Sequence, residues 1–183
     1  MQRFHYEYIK PKYGDKSKLL FTDTDSLCYN IETPDIYKDD MKENKELFDF
    51  SNYPKDHPNF SNHNKKVVGM MKDESGGRCI KKFVGLKAKM YSLLYDDNEN
   101  KNTCKGIQRT VAKNKITFND YYKTLKSGVS MKHTTKRIMS RKHDISLISQ
   151  NKISLSAMDD KRYILNDGIT TLAYGHYRIK NIE

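Results

Sequence analysis

Apolar and aromatic residues fall along this chain in short runs whose spacing changes several times, and each change marks an element. Between Arg3 and Tyr13, Phe4, Tyr8 and Ile9 cluster on one helical face, which predicts a short helix stopped by Gly14 and weakened in its last turn by Pro11. Lys18–Asp23 and Ser26–Ile31 are rich in Leu, Phe, Tyr and Ile and predict two strands of a hairpin folded at Thr24-Asp25. Residues 34–66 are polar and Asn-rich, are broken by Pro34, Pro54 and Pro58, and turn acidic around Asp39, Asp40, Glu43 and Glu46. They predict a short helix and then a long surface loop whose carboxylates form a solvated face. Strand patterns return at Cys79–Val84 and Met90–Tyr95, with Ser75-Gly76-Gly77 before the first and Lys87-Ala88-Lys89 between them.

Asp96-Asp97-Asn98-Glu99-Asn100 is a turn-forming break and marks the expected boundary between a part spanning 1–95 and a part spanning 96–183. Beyond it, Thr117–Lys126 is the clearest helix. Thr117 is its N-cap, Asp120 stands three residues on, Phe118, Tyr121, Tyr122 and Leu125 form its packing face, and Gly128 ends it. Lys132, Lys136, Arg137, Arg141 and Lys142 then alternate with Ile138 and Ser140, which suits a strand or a β-ribbon paired with Ile145–Leu155. The expected fold class is α+β.

With 183 residues, 36% hydrophobic and no tryptophan, the chain can bury one core or two small ones. No stretch reaches the roughly 18 apolar residues of a membrane span and no leader precedes a cleavage site, so a soluble, intracellular protein with no membrane partner is expected. Cys28, Cys79 and Cys104 are far apart and odd in number, which suits reduced thiols rather than a disulfide framework. The six histidines show no zinc spacing. The formal charge of +11 is unevenly placed: 17 basic residues face 17 acidic ones in 1–100, and 17 face 6 in 101–183. A basic half beside a carboxylate-bearing half suits a nucleic-acid enzyme. A generally basic protein with solvated lysines fits the same counts.

The sharpest chemistry lies in Asp23 and Asp25. In an extended chain, residues two apart leave the same face, so the pair would project together and need a cation to relieve its repulsion. Mg²⁺ takes oxygen ligands, often one or two carboxylates plus substrate phosphates, which is the chemistry of phosphoryl and nucleotidyl transfer. Asp-Thr-Asp-Ser is also ordinary turn chemistry. Five phosphate-neutralising residues in the basic stretch would give a log-affinity against log-salt slope of about −4 to −5.

Phe21-Thr22-Asp23-Thr24-Asp25-Ser26 resembles the Tyr-x-Asp-Thr-Asp-Ser motif of family B DNA polymerases, with Phe21 for the usual tyrosine. Val68–Glu74 and Phe83–Ser92 resemble that family's segment bearing a Lys-x-Tyr motif, here Lys89-Met90-Tyr91. Asp159–Leu165 and Thr171–His176 resemble the closing segment of protein-primed polymerases of virus-like mobile elements. The resemblance implies part of a palm, an antiparallel sheet with a catalytic hairpin, followed by a small basic thumb-like subdomain. It implies Asp25, assisted by Asp23, as catalytic ligands in a two-Mg²⁺ site. It also implies Lys89 at primer-strand phosphates, with Tyr91 and Lys87 beside it. On residue pattern alone, Tyr91 reads more readily as a strand aromatic filling the core.

The implied partners are a DNA primer-template, deoxynucleoside triphosphates and a terminal protein as primer, with Lys132, Lys136, Arg137, Arg141 and Lys142 along the duplex. The family's separate palm aspartate and nucleotide-gripping fingers lysine have no match here, so no nucleotide-binding residue is assigned. The chain alone is expected not to polymerise. Two other classes fit the residues: a non-catalytic basic DNA-binding protein derived from such an enzyme, and a metal-dependent nuclease.

Overall fold

Leu19, Leu20 and Phe21 set against Leu27, Cys28 and Tyr29 favour an extended pair, and a pair is what forms. In the computed structural model, which describes residues 1–158 and 162–179, β1 (Ser17–Asp23) and β2 (Ser26–Ile31) run antiparallel from Ser17↔Ile31 to Asp23↔Ser26. The expected hairpin and its Thr24-Asp25 turn are both present. Ahead of it, Phe4–Ile9 winds as a π-helical segment and continues into α1 (Lys10–Tyr13). Pro11 lies in the last turn of this continuous stretch, which ends at Gly14 with φ +51°.

The architecture is α+β, with small antiparallel sheets and few helices, and it divides into Met1–Cys79 and Ile80–Glu183. The first unit corrects the expected surface loop. Met41, Phe48, Phe50 and Tyr53 are buried there, packed by Phe4, Tyr37, Leu47, Phe60 and Met71. Phe48 and Phe50 stack with centroids 5.7 Å apart, and Phe4 meets Phe48 edge-on. Single turns at Tyr37–Met41 and Lys45–Leu47 aim these rings inward. Backbone bonds Asp49 N–H to Met71 O (2.8 Å) and Met71 N–H to Leu47 O (2.9 Å) tie the returning chain beside them. Aromatic burial offsets the ordering of this irregular backbone.

The second unit is built on β3 (Ile80–Lys87), β4 (Met90–Tyr95) and β5 (Asn100–Cys104), a sheet in that order. The polar break expected as a boundary is the β4–β5 turn, closed by Tyr95 N–H to Glu99 O (2.9 Å) and Asn98 N–H to Tyr95 O (3.1 Å). Asp and Asn join adjacent strands as readily as they separate parts, so the division of the chain falls earlier, after Cys79.

Two helices follow, α2 (Arg109–Asn114) and α3 (Phe118–Ser127). The expected cap of α3 is present, with the Thr117 N–H and hydroxyl each 2.8 Å from the Asp120 carboxylate and Gly128 left-handed at the end. Its buried face is narrower than expected: Tyr121 and Thr124 are buried, whereas Tyr122 and Leu125 are 48% and 46% exposed. Asn102 donates to the carbonyls of Ala112 and Ile116, satisfying groups that the end of α2 leaves open.

The ribbon is present too, as β6 (Met131–Arg141) and β7 (Asp144–Leu155). Its root contributes Leu155 and Met131 to a core of Val84, Met90, Cys104, Ala112, Ile116 and Tyr121. A last hairpin pairs β8 (Arg162–Ile164) with β9 (Thr171–Ala173). Asp159, Asp160 and Lys161 of the closing resemblance lie outside the described residues. Among the described residues no helix is long and apolar enough to cross a membrane.

Candidate functional site

The carboxylate pair sits where the strand pairing ends. Asp23 and Ser26 are the last partners of the β1–β2 hairpin, and Thr24 takes φ +52°, in the left-handed region. The Asp25 N–H reaches back to Asp23 O at 2.6 Å, and the Ser26 hydroxyl donates to the same carbonyl at 3.2 Å. The chain is therefore folded at Thr24, and the expectation that Asp23 and Asp25 share a face because the backbone is extended does not hold. A tight turn keeps both residues at the hairpin tip. Asp25 is exposed and Asp23 half-buried.

Carboxylate oxygens are the donors a hard divalent cation takes, and two of them beside phosphates and water match the ligation Mg²⁺ commonly uses. By donor chemistry the pair would supply two of one cation's ligands. A second needs further acidic ligands, and among the described residues no cluster of three or more His, Cys, Asp or Glu could hold a metal.

The other acidic groups of this unit that the fold buries are committed to structure, which the sequence pattern did not show. Asp40, expected on a solvated face, is 1% exposed. It accepts from Lys12 and Tyr13 at 2.6 Å each, from Asn44 at 2.9 Å, and from the Tyr8 hydroxyl. Burial pushes its pKa up, but the Lys12, Tyr13 and Tyr8 donors outweigh that and hold it below the usual carboxylate range. Asp49 is buried beside Lys72 (3.0 Å) and the Ser51 N–H (2.9 Å), and it too is held low against the effect of burial. The sequence places the aromatic residues Phe48, Phe50 and Tyr53 there, but their spacing does not show that other segments cover them.

In the second unit, the Lys-x-Tyr segment forms the tip of the β3–β4 hairpin. Lys87 pairs with Met90, leaving Ala88 and Lys89 as a two-residue loop in which Lys89 has φ +58° and is exposed. The Lys87 ammonium donates to Met158 O at 3.1 Å, so it helps hold the chain that leaves the ribbon. Tyr91 is half-buried between Gly85 and Thr103, its ring 6.3 Å from that of Phe83. It is in part the sheet aromatic its spacing allows and in part accessible. Cys104 is structural: its buried thiol donates to Ser154 O at 2.6 Å, and burial pushes its pKa up to about 11.

No family model, curated protein or solved structure matches the chain. The site therefore rests on its own residues.

The ribbon divides the basic stretch. In its register Lys132↔Ile153, Lys136↔Ser149 and Ile138↔Leu147 are cross-strand partners and share one face, whereas Arg137↔Ile148 and Arg141↔Asp144 share the other. Lys142 and His143 form the turn, both at positive φ. Lys132, Lys136, Arg137, Arg141 and Lys142 are all exposed, but they do not form one strip. Sequence reasoning missed this because a count of charges ignores the two-residue period. It also missed Lys152, half-buried on the Arg137 side and 3.3 Å from Gly106 O.

Proposed function

We propose that this chain provides the carboxylate hairpin and the DNA-holding surfaces of a DNA-directed DNA polymerase of the family B type, with a protein-primed start. The observation that carries this reading is the tight hairpin tip presenting Asp23 and an exposed Asp25 within Phe21–Ser26. In this reading β1 and β2 belong to a palm, and the ribbon belongs to a thumb-like part.

Asp23 and Asp25 would hold Mg²⁺, which would supply Lewis-acid chemistry: activation of a primer hydroxyl by one ion and charge neutralisation at the leaving pyrophosphate by another. The chain's own residues do the holding. Asp23 and Asp25 supply the negative charge that fixes the cation. Lys89, exposed at the tip of its hairpin, gives a point charge to a primer-strand phosphate, and Tyr91 packs beside it. Arg137 and Arg141, on one ribbon face with Lys142 at its end, grip duplex phosphates. A two-metal site requires a further carboxylate beside this pair.

A DNA-binding protein without catalysis is the second reading, and the exposed cations of the ribbon favour it as directly. A primed template with an incoming nucleotide separates the two, titrated with and without Mg²⁺ against the chain and Asp25→Asn. The polymerase reading expects Mg²⁺ to tighten binding to the chain and not to the variant, with no primer extension by the chain alone. Binding indifferent to Mg²⁺ and to the substitution would leave the DNA-binding reading standing. Extension abolished by Asp25→Asn would mean that the pair completes a working site.

A further inference from the structure

The distal ribbon wears its aliphatic side chains on the outside. Cross-strand register puts Ile138, Ile145, Leu147 and Ile153 on one face, and they are 75%, 78%, 66% and 55% exposed. On the opposite face Thr135 is buried and Met139 and Ile148 are half-buried. A half-solvated antiparallel sheet ordinarily turns its apolar side inward. Here the more exposed face carries the larger aliphatic row: Ile138, Leu147 and Ile145 are adjacent in register, with Ile153 apart beyond Lys136↔Ser149 and Thr134↔Asn151, and such an exposed apolar group marks an interaction surface.

Charge selects the occupant. From Met131 to Leu155 the ribbon carries Lys132, Lys136, Arg137, Arg141, Lys142 and Lys152 against the single acid Asp144, and Asp144 lies on the other face, opposite Arg141. The apolar face therefore has Lys132 and Lys136 and no carboxylate. A second copy of the ribbon would bring like charges together. DNA would satisfy the lysines and leave most of the aliphatic row without a partner, because phosphates and base edges present little apolar surface beyond thymine methyls.

We propose that this face docks an acidic amphipathic segment of a partner protein, with aliphatic side chains on Ile138, Ile145 and Leu147 and carboxylates reaching Lys136 and Lys132. The strand rise places Lys136 about 13 Å from the Ser140–Ile145 pair. That span matches about nine residues of a helix, enough for anchors on successive turns. The surface is independent of Asp23 and Asp25 and stands whether or not the chain takes part in catalysis.

The probe is a fluorescein-labelled peptide with leucines on one helical face and glutamates elsewhere, compared with a peptide of equal charge in which serines replace the leucines. Anisotropy with the full chain is expected to show the leucine peptide binding about tenfold tighter or more. Ile138→Ser with Leu147→Ser should abolish that preference while duplex DNA affinity stays unchanged. The substituted side chains are exposed, so retained circular dichroism keeps the result interpretable. Equal affinity for both peptides would overturn the proposal in favour of plain charge attraction. A matching loss of DNA affinity in the double variant would overturn it in favour of a DNA face. A dimer seen by light scattering for the chain and lost in the variant would overturn it in favour of self-association.

Discussion

The carboxylate of Asp40 collects Tyr8, Lys12, Tyr13 and Asn44 from two stretches of chain at 1% exposure, so one residue holds the N-terminal helix to the turn at 37–41. Asp40→Ala leaves Lys12 without its counter-charge and the Tyr8 and Tyr13 hydroxyls without this acceptor, while Asn44 keeps the backbone carbonyl of residue 40. It is expected to cost about 3 kcal/mol in urea unfolding. Asp49 is the second such point, through Lys72 and Ser51. In both, burial raises the carboxyl's pKa and the donors lower it further than burial lifts it. The folded values thus lie below the unfolded value of about 3.9. The stability these groups contribute is present above that value and is lost as pH falls through the lower folded ones. Melting temperatures should therefore drop steeply below about pH 4, and less steeply in Asp49→Asn. Asp40 looked like part of a solvated acidic run because sequence displays charge and not its partners.

Among elements, α3 and the ribbon contrast in how far local sequence decides them. The α3 start is self-contained, since Thr117 and Asp120 satisfy each other's groups within one turn. Asp120→Ala removes both bonds and is expected to cost about 1 kcal/mol by denaturant titration. The ribbon turn works against its residues. Lys142 and His143 take φ of +51° and +71°, where a side chain is strained and Asn-Gly is preferred. Lys142→Asn with His143→Gly is expected to stabilise the chain by about 1 kcal/mol, read as a higher denaturation midpoint. The ribbon forms regardless because its long pairing and its rooted Leu155 fix the register from the other end. The faces of α3 were less legible: Tyr122 and Leu125 have the right spacing, but the sheet below reaches only the Tyr121 and Thr124 side.

At the scale of the molecule, basicity becomes a matter of which cations can act together. If Arg137, Arg141 and Lys142 form the duplex-facing set, three neutralised phosphates give a log-affinity against log-salt slope of about −3, shallower than five would give. Arg137→Ala with Arg141→Ala should lower the magnitude by about 2, and Lys132→Ala with Lys136→Ala should leave it unchanged. A slope near −5 that all four substitutions share equally would dissolve the two-faced reading. By itself the sequence determined the α+β class, the β1–β2 hairpin with Asp23 and Asp25 at its tip, the β3–β4 pair, the cap of α3 and the pairing of the ribbon. Each depends on neighbours in the chain, whose propensity and periodicity are local. Only the tertiary structure decided that residues 48–53 make a core, that Asp40 and Asp49 are buried, that Lys87 is held by Met158 O, and that the ribbon exposes its aliphatic row. Those outcomes depend on contacts between residues distant in sequence, and no spacing along the chain records which surface another segment will cover.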